Sequence, residues 1–171
     1  MNLSFSSAIT KGLVFEALAD YLKLLHLDTV AVDDNRPWGG FFVVEEGEAG
    51  RFIDTFFPEL DVDDFSQDHK LSPKILVVAP NKRLSWQYHH RRAEIWKLIG
   101  GHAGVATSDS DEEKETTHLN KGDILKLKQG ERHRLIGLDE WGIVAEIWQH
   151  TDSKNPSDEN DIIRLQDDFG R

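Results

Sequence analysis

Two patterns of hydrophobic residues divide the chain. In the first, between Lys11 and Leu27, apolar residues recur at helical spacing, which predicts one amphipathic helix with Thr10 as its N-cap. In the second, after Lys70, short apolar runs of strand type are separated by turn signals. The predicted strands cover residues 74–79, 84–90, 94–100, 103–107, 123–128, 133–138 and 142–149. Short strands at this regular spacing predict an antiparallel sandwich or barrel.

The remaining segments complete the predicted organisation. A breaker cluster at 33–40 precedes the strand-like "FFVVEE", residues 51–60 predict a short helix that ends near Pro58, and the polar stretch 149–161 is typical of a linker. A length of 171 residues predicts one domain, 1–171, with a sizeable core. Its expected parts are an N-terminal helical extension (1–35), a barrel (36–150) and a C-terminal arm (151–171).

Composition and charge restrict the partners of the chain. The net charge of −11, from 20 basic and 31 acidic residues, opposes binding to nucleic acid or to an anionic membrane but is compatible with a local basic pocket. The absence of cysteine excludes disulfides and thiolate metal sites, so any metal must be bound by His, Glu, Asp or Gln. Residues 1–28 lack a basic segment followed by an unbroken apolar run, so we expect no signal peptide or membrane span and a cytoplasmic protein.

Polar side chains concentrate in "LSWQYHHRRAEIWKLIGG", residues 84–101, which otherwise has the pattern of strands. Strand alternation places Gln87 and His89 on one face, and a turn at "RRA" brings Glu94 back within reach of them. Gly130 permits a turn before His133, which supplies a fourth donor from a distant strand. The next residue, Arg134, alternates away from His133 and is expected to point outward.

This set of two imidazoles and two oxygen donors suits a borderline divalent ion. Zn²⁺ is the expected ion, and Fe²⁺, Co²⁺, Mn²⁺ and Ni²⁺ are alternatives. The residues by themselves leave another interpretation open, because histidines in strands are often hydrogen-bonded or surface residues rather than ligands.

The order of these residues resembles the paired motifs of the cupin β-barrel family. The motifs read Gln87-x-His89-x₄-Glu94-x₆-Gly101 and Gly130-x₂-His133. Four longer stretches are similar to the type II mannose-6-phosphate isomerase domain: "RPWGGF", "KILVVAPNKRLSWQYHHRRAEIWKLIGG", "LNKGDILKLKQGERHRL" and "DIIRLQDDFGR". The resemblance covers residues 36–171. It implies a mainly β fold, a cupin-type antiparallel β-barrel (jelly roll or double-stranded β-helix) with an N-terminal helix, and one divalent metal ion on Gln87, His89, Glu94 and His133.

The chain also departs from that family's pattern. In many bacteria the isomerase domain follows a guanylyltransferase domain, but this chain has no Gly-rich phosphate-binding loop near its N-terminus, so GDP-mannose synthesis is not expected. The family usually has a histidine after the glutamate, where this chain has Ile95, and a Pro-Gly pair where it has Pro80 and Asn81. Residues 136–141 also differ. The four presumed ligands are intact, so the departures bear on sugar specificity and catalysis.

The resemblance implies an aldose–ketose isomerase that interconverts mannose 6-phosphate and fructose 6-phosphate through an enediol(ate). Arg92 stands where related type I isomerases have a lysine, which implies a substrate-side catalytic role; the alternative is a surface arginine of a hairpin. Lys74 and Glu146 are the candidates for the proton-transferring base. Glu146 has the alternative of facing outward from the sheet.

Three further arginines are candidates for binding the sugar phosphate, because a guanidinium suits bidentate contact with phosphate. They are Arg36, Arg164 and Arg171. For Arg164 and Arg171 the alternative is a salt-bridged C-terminal arm.

Two other functions remain open from the sequence. One is the isomerisation of an unphosphorylated sugar such as mannose or lyxose, because the phosphate contacts rest on arginines alone. The other is a non-catalytic sugar-binding or regulatory cupin, which Ile95 and the altered 136–141 stretch favour. In each case the expected partner is a small-molecule sugar or sugar phosphate. A homodimer is expected as well, since cupins often pair through sheet edges.

Overall fold

Eleven strands and two helices make up the part of the chain that the structure, a computed structural model, describes: residues 3–61, 65 and 70–170. The helices are α1 (Lys11–Leu24) and α2 (Ala49–Phe56), and a 3₁₀ turn at Glu46–Glu48 precedes α2. The strands are β1 (Thr29–Asp33), β2 (Gly39–Val44), β3 (Lys74–Val78), β4 (Trp86–Tyr88), β5 (Arg92–Gly100), β6 (Ala103–Ser108), β7 (Thr117–His118), β8 (Ile124–Leu127), β9 (Arg132–Gly137), β10 (Gly142–His150) and β11 (Ile163–Gln166).

The strands form two antiparallel sheets, which confirms the predicted mainly β architecture. The six-stranded sheet has the order β1-β2-β3-β10-β5-β8, and the five-stranded sheet has the order β11-β4-β9-β6-β7. The longest pairing of the six-stranded sheet joins β10 to β5 from Ile143 to His150. The connection between β4 and β5 passes from the five-stranded to the six-stranded sheet, so residues only a few positions apart lie on facing sheets.

Two hydrophobic layers hold these elements together. One lies between the sheets, where Leu76 and Trp96 of the six-stranded sheet pack with Val105 and Leu135 of the five-stranded sheet. The other covers the opposite face of the six-stranded sheet, where α1 and α2 pack on Phe42 and its neighbours. Successive side chains of β2, β3, β5 and β10 therefore point alternately into the two layers. Both faces of these strands are covered, which explains why nearly all of their residues are buried.

Helix α1 confirms the predicted N-terminal helix but ends three residues earlier. Its buried face includes Phe15, whose ring stacks on Phe42 with centroids 5.2 Å apart. His26 adopts a left-handed φ of 55°, and the backbone N–H of Leu27 donates to the carbonyl of Leu22 at 3.0 Å. A left-handed residue followed by such a backward bond ends a helix, so the apolar periodicity up to Leu27 overestimated its length. No helix among the described residues is long and apolar enough to cross a membrane.

Three strands were not predicted, and β2, β5 and β9 begin one or two residues earlier than expected. β1, β7 and β11 are short and exposed on average, so they lack the alternation of buried and exposed residues that reveals a strand. β5 begins at Arg92 rather than Glu94, because the turn from β4 is completed by residues 89–91. The turn expected at Gly130 is present: this glycine has a left-handed φ of 77°, and β9 follows it.

Candidate metal centre and cavity

The four predicted ligands lie between the two sheets, and all four are buried. Gln87 of β4 is in register with His133 of β9, and His89 directly follows β4. Glu94 lies on β5 of the opposite sheet. The pleat of β5 turns Glu94 toward the interior and Ile95 toward the helix-side layer.

Glu94 bridges the two histidines through both of its oxygens. Its Oε1 lies 3.2 Å from His89 Nε2, and its Oε2 lies 3.3 Å from His133 Nε2. One ligand atom from each of these three residues lies within 4.8 Å of the others. The prediction that the β4–β5 turn and β9 bring His89, Glu94 and His133 together is therefore confirmed.

Each histidine ring is oriented by a backbone carbonyl. His89 Nδ1 lies 2.5 Å from the carbonyl oxygen of Asp161, and His133 Nδ1 lies 2.9 Å from that of Glu131. A carbonyl only accepts, so each Nδ1 must carry a proton and donate it. In a neutral imidazole the Nε2 atom then has a free lone pair, and both Nε2 atoms face Glu94.

These three residues fit a divalent ion. Two ligand atoms that are each about 2.1 Å from one metal, at angles between octahedral and tetrahedral, are roughly 3.0–3.4 Å apart, as the His89–Glu94 and His133–Glu94 pairs are. His133 Nε2 is buried without a hydrogen-bond partner among the described residues. A buried lone pair of this kind is costly unless something accepts it, and a metal ion is one group that does.

Gln87 faces the same cavity, but its side chain has a protein partner. Its Oε1 accepts a hydrogen bond from the Ser85 hydroxyl at 2.5 Å. A carbonyl oxygen has a second lone pair, so this bond leaves Oε1 able to bind an ion as well. The role of Gln87 as a metal ligand stays a prediction.

The pKa values of His89, Glu94 and His133 depend on one another because the three side chains are buried together. Burial alone would raise the pKa of Glu94, but His89 and Arg92 outweigh burial and hold that pKa well below its usual value. Burial lowers the pKa of His89. Burial would lower the pKa of His133 too, yet the nearby carboxylate of Glu94 outweighs burial and raises that pKa. These directions favour an ionised Glu94 and a neutral His89, which is the form of histidine that binds metals.

Arg92 is buried in the cavity wall rather than exposed on a hairpin. Its Nε donates to Glu94 Oε1 at 2.7 Å, and its Nη1 donates to the Ser157 hydroxyl at 2.8 Å. Its Nη2 lies 3.2 Å from His89 Nε2, and its guanidinium carbon lies 3.7 Å from the centroid of the Trp148 ring. These contacts fix the guanidinium beside the three presumed ligands.

The two candidate bases are neighbours in register on β3 and β10, and both face the interior. Glu146 Oε1 accepts a hydrogen bond from Trp96 Nε1 at 2.9 Å. Burial, reinforced by the negative charge of Glu94, raises the pKa of Glu146 to about 7. Lys74 forms an ion pair with Glu159, and its Nζ lies 3.6 Å from the centroid of the Trp148 ring. The alternative of an outward-facing Glu146 is excluded.

A cavity of about 350 Å³ opens next to Glu94 and Arg92. Its lining includes Lys74, Glu146 and two of the predicted substrate arginines, Arg36 and Arg164. Arg36 donates from Nε to Asp33 at 2.7 Å, and Arg164 is in register with Gln87 across the β11–β4 pair. The third, Arg171, lies outside the described residues.

The C-terminal arm supplies contacts to the site residues that the sequence did not indicate. The stretch predicted as a linker contains Ser157, Glu159 and Asp161, which contact Arg92, Lys74 and His89 respectively. Ser157 and Asp161 are buried. No local periodicity distinguishes these residues from a solvated linker, because the contacts join positions 65 to 85 apart in the chain. The burial of two polar residues in this short acidic stretch is visible only in the fold.

Known proteins share both the sequence pattern and the fold. The sequence profile described as "Mannose-6-phosphate isomerase C-terminal" matches residues 53–167. Over 136 residues, or 80% of this chain, the chain is 32% identical to the alginate biosynthesis protein AlgA of Pseudomonas aeruginosa and 25% identical to the mannose-1-phosphate guanylyltransferase ManC of Salmonella typhimurium. The matched region is 22% of each of those proteins, so the chain spans about a fifth of the length of these curated relatives.

Two solved structures show the same fold at low sequence identity. The capsular polysaccharide assembling protein CapF of Staphylococcus aureus matches with a TM-score of 0.54 and 12% identity, over 80% of this chain and 34% of that one. KdgF of Halomonas sp. matches with a TM-score of 0.51 and 14% identity, over 76% of this chain and 89% of that one. Both likenesses support a cupin-type barrel and nothing finer. The profile match over most of the chain shows that this chain belongs to the family of the C-terminal domain of mannose-6-phosphate isomerases.

Proposed function

We propose that this chain is a metal-dependent aldose–ketose isomerase whose substrate pair is mannose 6-phosphate and fructose 6-phosphate. The observation that carries the proposal is the buried group of His89, Glu94 and His133 beside a cavity that contains both cations and a second buried carboxylate. Membership of the isomerase-domain family supports the choice of sugar phosphate.

In our proposal, His89, Glu94 and His133 would hold a divalent ion, Zn²⁺, with Gln87 as fourth ligand, and the bound ion would supply a Lewis acid for the substrate oxygens. The protein supports this arrangement in advance. The two Nδ1–H···O=C bonds keep both Nε2 lone pairs directed at Glu94, so neither imidazole ring has to turn to bind an ion.

Glu146 is our proposed base for the proton transfer between C1 and C2. A pKa of about 7 lets the group exist in both protonation states near neutral pH, which suits a residue that takes up a proton and returns it. Lys74 is less suited to this task, because its ammonium is engaged by Glu159 and lies against Trp148. We therefore reassign Lys74 to holding an anionic group of the substrate.

Arg92 is our proposed electrophilic partner. Its guanidinium is fixed by Glu94 and Ser157, so its positive charge is in place before negative charge develops on the substrate oxygens. Arg36 and Arg164, with Lys74, are the cavity cations that we assign to the phosphate, because charge-assisted bonds to phosphate are among the strongest available to side chains.

One observation favours the alternative of a non-catalytic sugar-binding cupin. Arg92 contacts both Glu94 Oε1 and His89 Nε2, which are two of the atoms that an ion would use. A cupin that had lost its metal would be stabilised by such a contact, since the arginine replaces the missing positive charge.

A coupled assay separates these functions. In the isomerase, turnover of mannose 6-phosphate is lost after EDTA treatment and restored by a divalent ion, and mannose is converted at least about tenfold less efficiently because it lacks the group that the cavity cations bind. Calorimetric binding of a sugar phosphate without turnover of any aldose phosphate would support the non-catalytic module instead. His133→Ala is expected to abolish turnover, whereas His118→Ala, an exposed histidine on β7, is the matched control.

The homodimer and the cytoplasmic location stay predictions. Light scattering of the purified protein measures the first, and fractionation of the source cells measures the second.

A further inference from the structure

Asp161, in the C-terminal arm, binds both the backbone of the turn after β4 and the imidazole ring of His89. Its carboxylate accepts hydrogen bonds from the backbone N–H groups of His90 and Arg91 at 3.0 and 2.9 Å. Its own backbone carbonyl accepts the hydrogen bond from His89 Nδ1 at 2.5 Å. One residue therefore fixes the backbone of the turn and the orientation of the imidazole ring.

These contacts belong to a closed ring of bonds around the candidate metal centre. Ser157 accepts from Arg92 Nη1 and donates to the Asp161 carboxylate at 2.7 Å. Arg92 Nη2 lies 3.2 Å from His89 Nε2 and donates to its lone pair, and Arg92 Nε also donates to Glu94. His89 completes the ring through its bond to Asp161. Two members of the ring come from the arm and two from the β4–β5 region, so neither segment can move alone without breaking it.

The two histidines differ in how far along the chain the carbonyl that orients each ring lies. His133 Nδ1 bonds to the carbonyl of Glu131, two residues earlier in its own turn and strand. His89 Nδ1 bonds to a residue 72 positions later in the chain. The ring of His133 is thus set locally, whereas the ring of His89 depends on the arm being in place.

We propose that Asp161 is a positioning residue that holds His89 in the Nδ1-protonated tautomer and thereby couples the order of the C-terminal arm to metal binding. The part that concerns the metal rests on the proposed function, but the effect on the imidazole does not. Coupling of this kind is reciprocal, so binding of an ion at His89 must also stabilise the arm.

The same segment of the arm lines the substrate cavity, which gives the coupling a consequence for the substrate. Glu159, Asn160, Ile162 and Arg164 flank Asp161 in sequence and all contribute to the cavity wall. A sugar phosphate that contacts these residues therefore stabilises the segment that orients His89. We expect a substrate analogue and the ion to strengthen each other's binding.

Asp161→Ala tests the proposal. The first measurement is ¹⁵N NMR of the imidazole nitrogens in metal-free protein at about pH 8, where neutral rings report their tautomer; the His89 signals are assigned with His89→Gln. The alanine variant keeps the Asp161 carbonyl but loses the carboxylate bonds that hold the arm, and with it that carbonyl, against the turn. We therefore expect only the Nδ1–H form in the unsubstituted protein and a substantial Nε2–H population in the variant. The second measurement is the Zn²⁺ dissociation constant, by competition with a chromophoric chelator. We expect it to rise about 10–100-fold, as for loss of other groups that orient metal-bound histidines.

Asp152→Ala is the matched control, because it removes an exposed carboxylate of the same arm whose hydrogen bond, to the backbone of Lys154, is local. It should leave the tautomer and the Zn²⁺ affinity unchanged. Asp161→Asn keeps the size of the side chain and one acceptor oxygen, and Ser157→Ala removes only the neighbouring hydroxyl. Both should give smaller shifts in the same direction, and they decide the question if circular dichroism shows that Asp161→Ala does not fold.

The proposal is overturned if the folded variants keep a purely Nδ1-protonated His89 and the Zn²⁺ affinity of the unsubstituted protein. Failure of the proposed function looks different. If the unsubstituted protein binds no divalent ion, the metal centre is wrong, while the tautomer of His89 in metal-free protein still shows whether Asp161 positions the ring.

Discussion

Glu146→Gln tests whether the cavity holds a carboxylate that titrates near neutral pH. The side chain is 4% exposed, and its Oε1 accepts a hydrogen bond from Trp96 Nε1. Burial opposes its ionisation, the charge of Glu94 opposes it further, and Lys74 and Arg92 only partly compensate. Glutamine has the same size and keeps a carbonyl oxygen for Trp96, so the substitution removes the ionisation and little else.

The size and sign of the effect follow from the pKa. A rise from 4.5 in the unfolded chain to about 7 in the folded protein is worth about 3 kcal/mol, at about 1.4 kcal/mol per unit. Since the folded state binds this proton more tightly, the stabilisation is fully present below pH 4.5 and is lost as the pH rises through about 7. Above that pH range the buried, ionised carboxylate of Glu146 destabilises the folded protein by the whole of this amount. The glutamine variant has no carboxylate at this position and is not destabilised in this way.

Urea unfolding of metal-free protein measures this difference. We expect the free energy of unfolding of Glu146→Gln, relative to the unsubstituted protein, to increase by about 2–3 kcal/mol between about pH 5 and pH 8. Glu112→Gln, which removes an exposed carboxylate between β6 and β7, controls for the change in net charge. With a divalent ion bound the increase should shrink, because the ion offsets the charge of Glu94.

Two results would refute this reasoning. A difference between the two proteins that does not change with pH means that Glu146 has an ordinary pKa and that the cavity is better solvated than its burial indicates. A difference that changes in the opposite direction means that the cations Lys74 and Arg92 dominate and that Glu146 is a permanently charged partner in an ion-pair network. Either result would also remove the argument for Glu146 as the base.

Three further substitutions test the site and the fold. His133→Ala should reduce bound metal, measured by elemental analysis after dialysis, to well under half of one equivalent, and undiminished metal would place the ion elsewhere. Arg92→Ala leaves Glu94 as a buried carboxylate without its guanidinium, so urea unfolding should show a loss of about 3–5 kcal/mol, and turnover should fall by more than metal content does. Phe42→Ala removes a fully buried ring that stacks on Phe15 and should cost about 3–5 kcal/mol, with catalysis per folded molecule unchanged.

The predicted part of the site is the part that short-range geometry determines. Strand alternation relates Gln87 to His89, one turn relates His89 to Glu94, and Gly130 locates the start of the strand that carries His133. Each relation spans only a few residues, so a pleat and a turn are enough to predict it. Only the meeting of β9 with β4 required the resemblance to a known barrel.

The unpredicted part depends on contacts between distant segments. Arg134 does turn away from His133, as expected, but it is fully buried rather than exposed. The hairpin between β6 and β7 supplies Glu113, and the arm supplies the carbonyl of Gln166, and both bind its guanidinium on the outer face of the five-stranded sheet. Alternation predicts the direction of a side chain, but whether that direction leads to solvent depends on what a distant segment covers.

The charge of the cavity makes a stronger argument for an anionic substrate than the composition suggested. The whole chain carries −11, yet the cavity lining contains four cations, from Arg36, Lys74, Arg92 and Arg164, against three carboxylates. One of those carboxylates, Glu94, faces the presumed ion, and another, Glu146, is half protonated near pH 7.

The third carboxylate, Glu159, forms an ion pair with Lys74 and is more than half exposed. A phosphate that displaced Glu159 would gain an ion pair with a buried ammonium, and the Glu159 carboxylate would return to water at little cost. Exchange of one anion for another at Lys74 is therefore a feasible way for an acidic protein to admit a sugar phosphate. It predicts that Glu159→Gln lowers the KM for mannose 6-phosphate and leaves the KM for mannose unchanged.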